Sequence, residues 1–294
     1  MKFITPVLID DAKLISSSIS EADYAAWNAG TSYAVDTRVI RVATHSVYQR
    51  LVAGTTSTPP ESDPTNWVRV GPTNRWKMFD QAVGSVSTDT SSMTVVIAPG
   101  LVRGLALLDV TGNSVTVTMT SGATTVYSKT INLNAGDGVI DAYTYCFSPI
   151  ILRRTVVLTD LPPYASGHIS ITVNGTGTVG IGTVAVGALT EVGGTRLGAT
   201  LEIIDYSKKS TDEFGITTVV ERPFARKLTL PVWVDRFKVD ELVRQLELLR
   251  ATAIVCIGTD VYDKSVVYGF YKGWSIAMSY QNLCLLNFNF EGLS

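Results

Sequence analysis

Charge, histidine and cysteine are all scarce in this chain. Only 17% of its 294 residues are Asp, Glu, Lys or Arg, while 46% are hydrophobic. Such a chain can bury a core but is under-charged for a freely diffusing monomer of this size, so part of its surface is expected to meet another protein. The net charge is −2, and the Lys and Arg residues are scattered. That distribution lacks the basic stripe of a phosphate-backbone binder, which argues against a nucleic-acid partner. No apolar run approaches the ~20 residues of a spanning helix, and the opening MKFITPVLIDD turns acidic before a signal-peptide core can form. Neither membrane insertion nor export by an ordinary secretion signal is therefore expected.

The two histidines, His45 and His168, show no metal-ligand spacing and neighbour no nucleophile motif. Cys146, Cys256 and Cys284 are odd in number, far apart and set among apolar residues. They read as buried reduced thiols, with neither a disulfide nor a metal set favoured. Asp10–Asp11 and Asp212–Glu213 are adjacent acids, unlike the separated carboxylates of a glycosidase. The stretch TGTVGIGTVAVG lacks the lysine and following helix of a phosphate loop and reads as close strand packing. These patterns carry no catalytic residue, no metal and no cofactor.

What the chain has in quantity is valine and threonine, 35 of each. Both fit a pleated, half-buried surface better than a helix, so the fold class is mainly β. Residues 1–19 carry no helix signal and read as an N-terminal arm that needs a partner surface. Residues 20–72 form a small β module, closed by the Pro-rich loop GTTSTPPESDPTNW and Trp67. Residues 73–189 show short alternating strands in an antiparallel β-sandwich pattern: MTVVIA, GLALLDV, SVTVTMT, TTVYSKTINL, ISITVNG and GIGTVAVG. SVTVTMT and TTVYSKT flank SGA and predict a hairpin.

Residues 190–294 read as a C-terminal antiparallel sheet with one packed helix. KLTLPVWV, AIVCIG, SVVYGFYKGWSIAM and LCLLNFNFEGL are its strands. Between them FKVDELVRQLELLRA places Val239, Leu242, Val243, Leu246 and Leu249 on one helical stripe, with Asp235 as the candidate N-cap. This unit is expected to serve assembly. DYSKKSTDEFG, Asp205 to Gly215, concentrates charge of both signs and reads either as a solvated turn or as a loop that fixes register against a partner.

In the first module Ala26, Trp27, Tyr33, Val39, Tyr48 and Trp67 lie along AWNAGTSYAVDTRVIRVATHSVYQRL and the loop that follows it. This pattern resembles the small chitin-binding modules appended to bacterial glycoside hydrolases and to phage tail proteins. Asp36 stands where that family has glycine in the turn, and the loop Thr55 to Pro64 carries no tryptophan. A pyranose stacks its C–H face on an exposed ring, which makes Trp27, Tyr33, Tyr48 and Trp67 the candidate glycan contacts. In a module this small the same rings are also the large residues available for a core, and that reading stays open beside the first.

A broader set of segments, GPTNRWKMFD, LPPYASGHISITV, IIDYSKKSTDEFG, VVYGFYKGWSI and FEGLS, resembles a family of tail proteins from tailed bacteriophages that carries such a module in front. The resemblance implies a non-enzymatic virion structural role at the tail tip, baseplate or fibre-attachment region, in a protein made in the host cytoplasm. It implies homo-oligomers and other phage tail proteins as partners, with a host surface glycan as the alternative ligand. Trp76, Phe79, Trp233 and Trp274 are the expected interdomain or intersubunit anchors.

Overall fold

The computed structural model of the protein describes residues 1–80, 82–134, 141–147, 152–259, 263–278 and 280–293. Strand dominates, as the β-branched composition requires. One 14-stranded sheet runs through most of the molecule, beside smaller sheets of two, two and three strands. The ladders that build the large sheet are antiparallel.

The spine is the 25-residue strand Gly167–Glu191. Its first half lies between Ser114–Ser121 and Ser87–Ile97. Its second half pairs with Gly104–Thr111 and then with Lys2–Pro6. ISITVNG and GIGTVAVG, expected as separate strands, are therefore one. The register shifts between Asn174 and Thr178, and this irregularity lets a single strand serve both halves without leaving the sheet.

Ile169, Ile171 and Val173 from the first half share a core with Val179 and Ile181 from the second. Met93, Val95, Ile97, Leu105 and Leu107 from the neighbouring strands join that core. Because side chains alternate along a strand, Ala106 faces a different core on the outer side. The result is sandwich-like. At Gly187 the close packing expected of the glycine-rich stretch is real, since a Cβ there would overlap the carbonyl oxygen of Thr5.

The expected hairpin is present. Ser114–Ser121 and Thr124–Asn132 pair with Ser121 opposite Thr124, leaving Gly122 and Ala123 as the turn. Gly122 has φ +59, a conformation that glycine adopts without steric cost.

The opening arm finds its partner surface within the chain itself. Lys2–Pro6 pairs with Gly167–Glu191 along one edge and with Ile254–Ile257 along the other, and Leu14–Ser17 pairs with Ser87–Ile97. Phe3 and Ile4 point to opposite faces and enter two separate cores. This short strand thus stitches the sandwich to the C-terminal strands, and one sheet crosses position 190.

Beyond the stitch the order is Ile254–Ile257, Val266–Ala277, Leu283–Gly292, Phe224–Asp235. The helix Val239–Leu248 lies on one face of these strands. All of the expected stripe is used: Val239, Leu242 and Leu246 are buried, and Val243 and Leu249 pack at the margin. The Asp235 carboxylate accepts from the Phe237 N–H at 3.2 Å, so it caps the 3₁₀ turn Arg236–Lys238 that leads into the helix. Among the described residues no helix is long and apolar enough to cross a membrane.

Candidate functional site

The small module is built from the three-stranded sheet Arg38–Arg41, Ser46–Arg50 and Trp67–Pro72 and the short pair Ser32–Tyr33 with Gly54–Thr55. It brings all four candidate glycan residues together. Val39, Tyr48 and Trp67 form its core, with Trp27 and Tyr33 packed against them. Trp67 is 2% exposed and Tyr48 5%.

Both tryptophan rings carry an arginine on one face. The buried Arg50 guanidinium lies 4.9 Å over the Trp67 ring, and Tyr33 meets the same ring edge-on at 5.3 Å. Arg41 sits 5.0 Å over Trp27 and is held there by two hydrogen bonds to Glu61, at 2.7 and 3.1 Å. Such a cation–π stack takes one face of each ring, and burial removes Trp67 altogether, while Trp27 stays partly exposed. Tyr48, one of the candidate glycan contacts, is core. It lies on the central strand of the sheet, whose alternate residues have no route to solvent.

The Arg41–Glu61 pair has an electrostatic signature. Hydrogen bonding to Arg41 holds the Glu61 carboxyl below the usual carboxylate range, and the same contact raises Arg41. Asp36 takes φ +65, a left-handed conformation that only glycine adopts without steric cost. Its carboxylate accepts from the Gln49 side-chain amide at 2.7 Å, which compensates for the strain.

Trp76 and Phe79 occupy the junction between this module and the sandwich. Trp76 belongs to the sandwich core and stacks on His45 of the module at 4.2 Å, with Phe79 edge-on to it at 5.9 Å. Carboxylates clamp the same junction. His45 Nδ1 lies 3.0 Å from Glu21 and Nε2 lies 2.9 Å from Asp11, while Thr73 Oγ1 donates to Glu21 at 2.6 Å. Asp23 accepts from the Asn74 N–H at 2.6 Å. These contacts favour the junction role for Trp76 and Phe79.

Trp233 and Trp274 lie in the C-terminal strands and are only partly buried. Trp274 packs against the core beneath the helix. Trp233 is covered by the Arg196 guanidinium at 5.5 Å and by the edge of Tyr280 at 5.3 Å.

The feature with the clearest unmet need is one that sequence patterning did not single out as strand. Thr200–Asp205 pairs with the start of Phe224–Asp235, and beyond that edge Lys208–Thr211 pairs with Thr217–Val220. Together they make a two-stranded arm. The segment DYSKKSTDEFG is therefore one strand of this ribbon plus its tip. At the tip the Asp212 carboxylate accepts from the Phe214 and Ile216 N–H groups at 3.0 and 2.8 Å, which fixes the turn.

Both faces of the arm are open to solvent. Ile203, Ile216, Val219 and Val220 are all exposed, and Phe214 at the tip is 88% exposed. A lone two-stranded ribbon is marginal in water, and one with apolar side chains on both faces gains only when another surface covers it. Period-two alternation is missing here because neither face is a core face, so the pattern that reveals half-buried strands could not reveal these.

The thiols divide. Cys256 and Cys284 are buried as expected, and desolvation pushes the Cys256 thiol up to about 12. Cys146 corrects the expectation, since it is exposed. It lies on the short helix Ala142–Phe147, where Tyr143 and Phe147 are exposed as well.

In comparisons with known proteins, no family model and no curated protein matches the chain.

Proposed function

We propose that the chain is a non-enzymatic structural subunit of a bacteriophage tail, at the tip, baseplate or fibre-attachment region, and that it works by assembly. Copies of itself and other tail proteins are its partners, and the virion tail is its location. Two things support this reading. The first is the resemblance carried by GPTNRWKMFD, IIDYSKKSTDEFG and VVYGFYKGWSI.

The second, which carries the proposal, is the ribbon formed by residues 200–224, whose apolar side chains lack cover on both faces. A low-charge chain that projects such an arm gains stability by burying it against a neighbour. In this reading the small module is a rigid adaptor. Its rings serve its own core, and the clamp of His45, Glu21 and Asp11 fixes its position on the sandwich.

Electron microscopy of the purified full chain at high concentration tests the reading. Rings, short tubes or discrete clusters of one size are expected. Isolated single particles throughout would overturn it.

A further inference from the structure

The same region contains a cavity of about 760 Å³ whose chemistry mirrors the tip of the arm. Arg153, Arg154, Arg196 and Lys264 line it, and Leu228 and Leu230 form its buried floor. Arg153 is engaged, Arg154 is shared with Asp109 at 3.2 Å and Arg196 lies over the Trp233 ring, and no carboxylate is among the described lining residues. Leu197 stands on the rim and is 96% exposed. Thr195 Oγ1 donates to the Gly258 carbonyl at 2.5 Å and ties the rim to the floor.

The tip of the arm carries the opposite chemistry. Asp212 and Glu213 are adjacent acids, followed directly by the exposed Phe214 and, after Gly215, by Ile216. An acidic, aromatic turn complements a basic rim around an apolar floor in both charge and hydrophobicity. We propose that the tip of one copy, Asp212 to Ile216, docks into this cavity of a second copy. The inference rests on the assembly reading above and gives it a specific contact.

Geometry places the two halves on different molecules. The cavity lies at the base of the ribbon, where Leu201 pairs with Leu228, and the tip lies at its far end. Asp212 lies eleven residue steps beyond Leu201, a span of up to about 36 Å at ~3.3 Å per residue. For a chain to fill its own cavity the ribbon must fold back and break the backbone pairing that defines it. Tip into cavity is therefore a head-to-tail contact. Repeated, it closes into a ring or continues as a filament, according to the rotation between copies.

The test uses the full chain as wild type, Phe214→Asp and Leu197→Asp, each compared by sedimentation velocity over a range of concentrations. Association is expected in the wild type and is expected to weaken at least about 30-fold in each variant, as removal of a central anchor does. An equimolar mixture of the two variants is expected to give a one-to-one pair, because one supplies an intact tip and the other an intact cavity. Both positions are exposed, and circular dichroism with thermal melting checks that each variant folds.

Should either variant fail to fold, Glu213→Arg decides in its place. It is expected to weaken association, and Arg196→Glu in the same chain is expected to restore it. Variants that associate as the wild type does overturn the docking and leave the assembly reading standing. A mixture of folded variants that stays as single chains also overturns the docking, and a wild type that never associates removes both.

Discussion

At the scale of single residues, backbone proximity and burial set the strongest constraints. Gly187 has the Thr5 carbonyl where a side chain would begin, and both residues lie in paired strands that cannot easily separate. Gly187→Ala should therefore lower stability by about 3 kcal/mol, the upper part of the range for forced overpacking, measured by denaturant unfolding. The Arg41–Glu61 pair makes a pH-dependent contribution of known sign. Because Glu61 is held below the usual carboxylate range when folded, the pair stabilises above the unfolded carboxylate range, and the effect is lost as pH falls through the folded value. Glu61→Gln should cost about 0.5–1 kcal/mol at neutral pH and very little in acid, followed by thermal melting across pH. Thiol reactivity gives a simpler check. In the native chain a maleimide should modify Cys146 readily and leave Cys256 and Cys284 unmodified, with all three labelled after denaturation.

At the scale of elements, the sequence is legible wherever a periodic face meets a core. The stripe Val239, Leu242, Val243, Leu246 and Leu249 is readable because burial follows the 3.6-residue turn. Leu246 lies at its centre and is fully packed, so Leu246→Ala should cost about 2–5 kcal/mol in equilibrium unfolding. The sandwich strands are readable for the corresponding period-two reason. Three features are not. Lys2–Pro6 finds its partners in strands distant along the chain, and no local pattern records a pairing with Glu191 or Ile257. The register shift after Asn174 falls within one strand where the sequence looks like two. The ribbon of residues 200–224 is open on both faces, so its composition carries no alternation to detect. The aromatic cluster of the small module was legible as a cluster. Its use as core follows from Arg50 and Arg41 covering the rings, and nothing in the spacing of the arginines announces those stacks.

At the scale of the whole molecule, one sheet with an antiparallel frame links the arm, the sandwich and the helix-bearing strands, so force applied at the ribbon is transmitted through paired backbone. Proteins commonly blunt exposed sheet edges with charge, bulges or cover. This one extends an edge as a ribbon and leaves apolar side chains on it, which is sensible only if the edge is met by another surface. Hydrogen exchange along 200–224 should accordingly be fast in dilute single chains and slow once the protein associates. The most direct test of the central claim is sedimentation velocity of the purified full chain from low to high concentration, beside a variant carrying Ile203→Thr, Phe214→Ser, Ile216→Thr and Val219→Thr. The account predicts a defined larger species that grows in with concentration for the wild type and is lost in the variant. A wild type that remains a single 31.7 kDa chain at every concentration would contradict it.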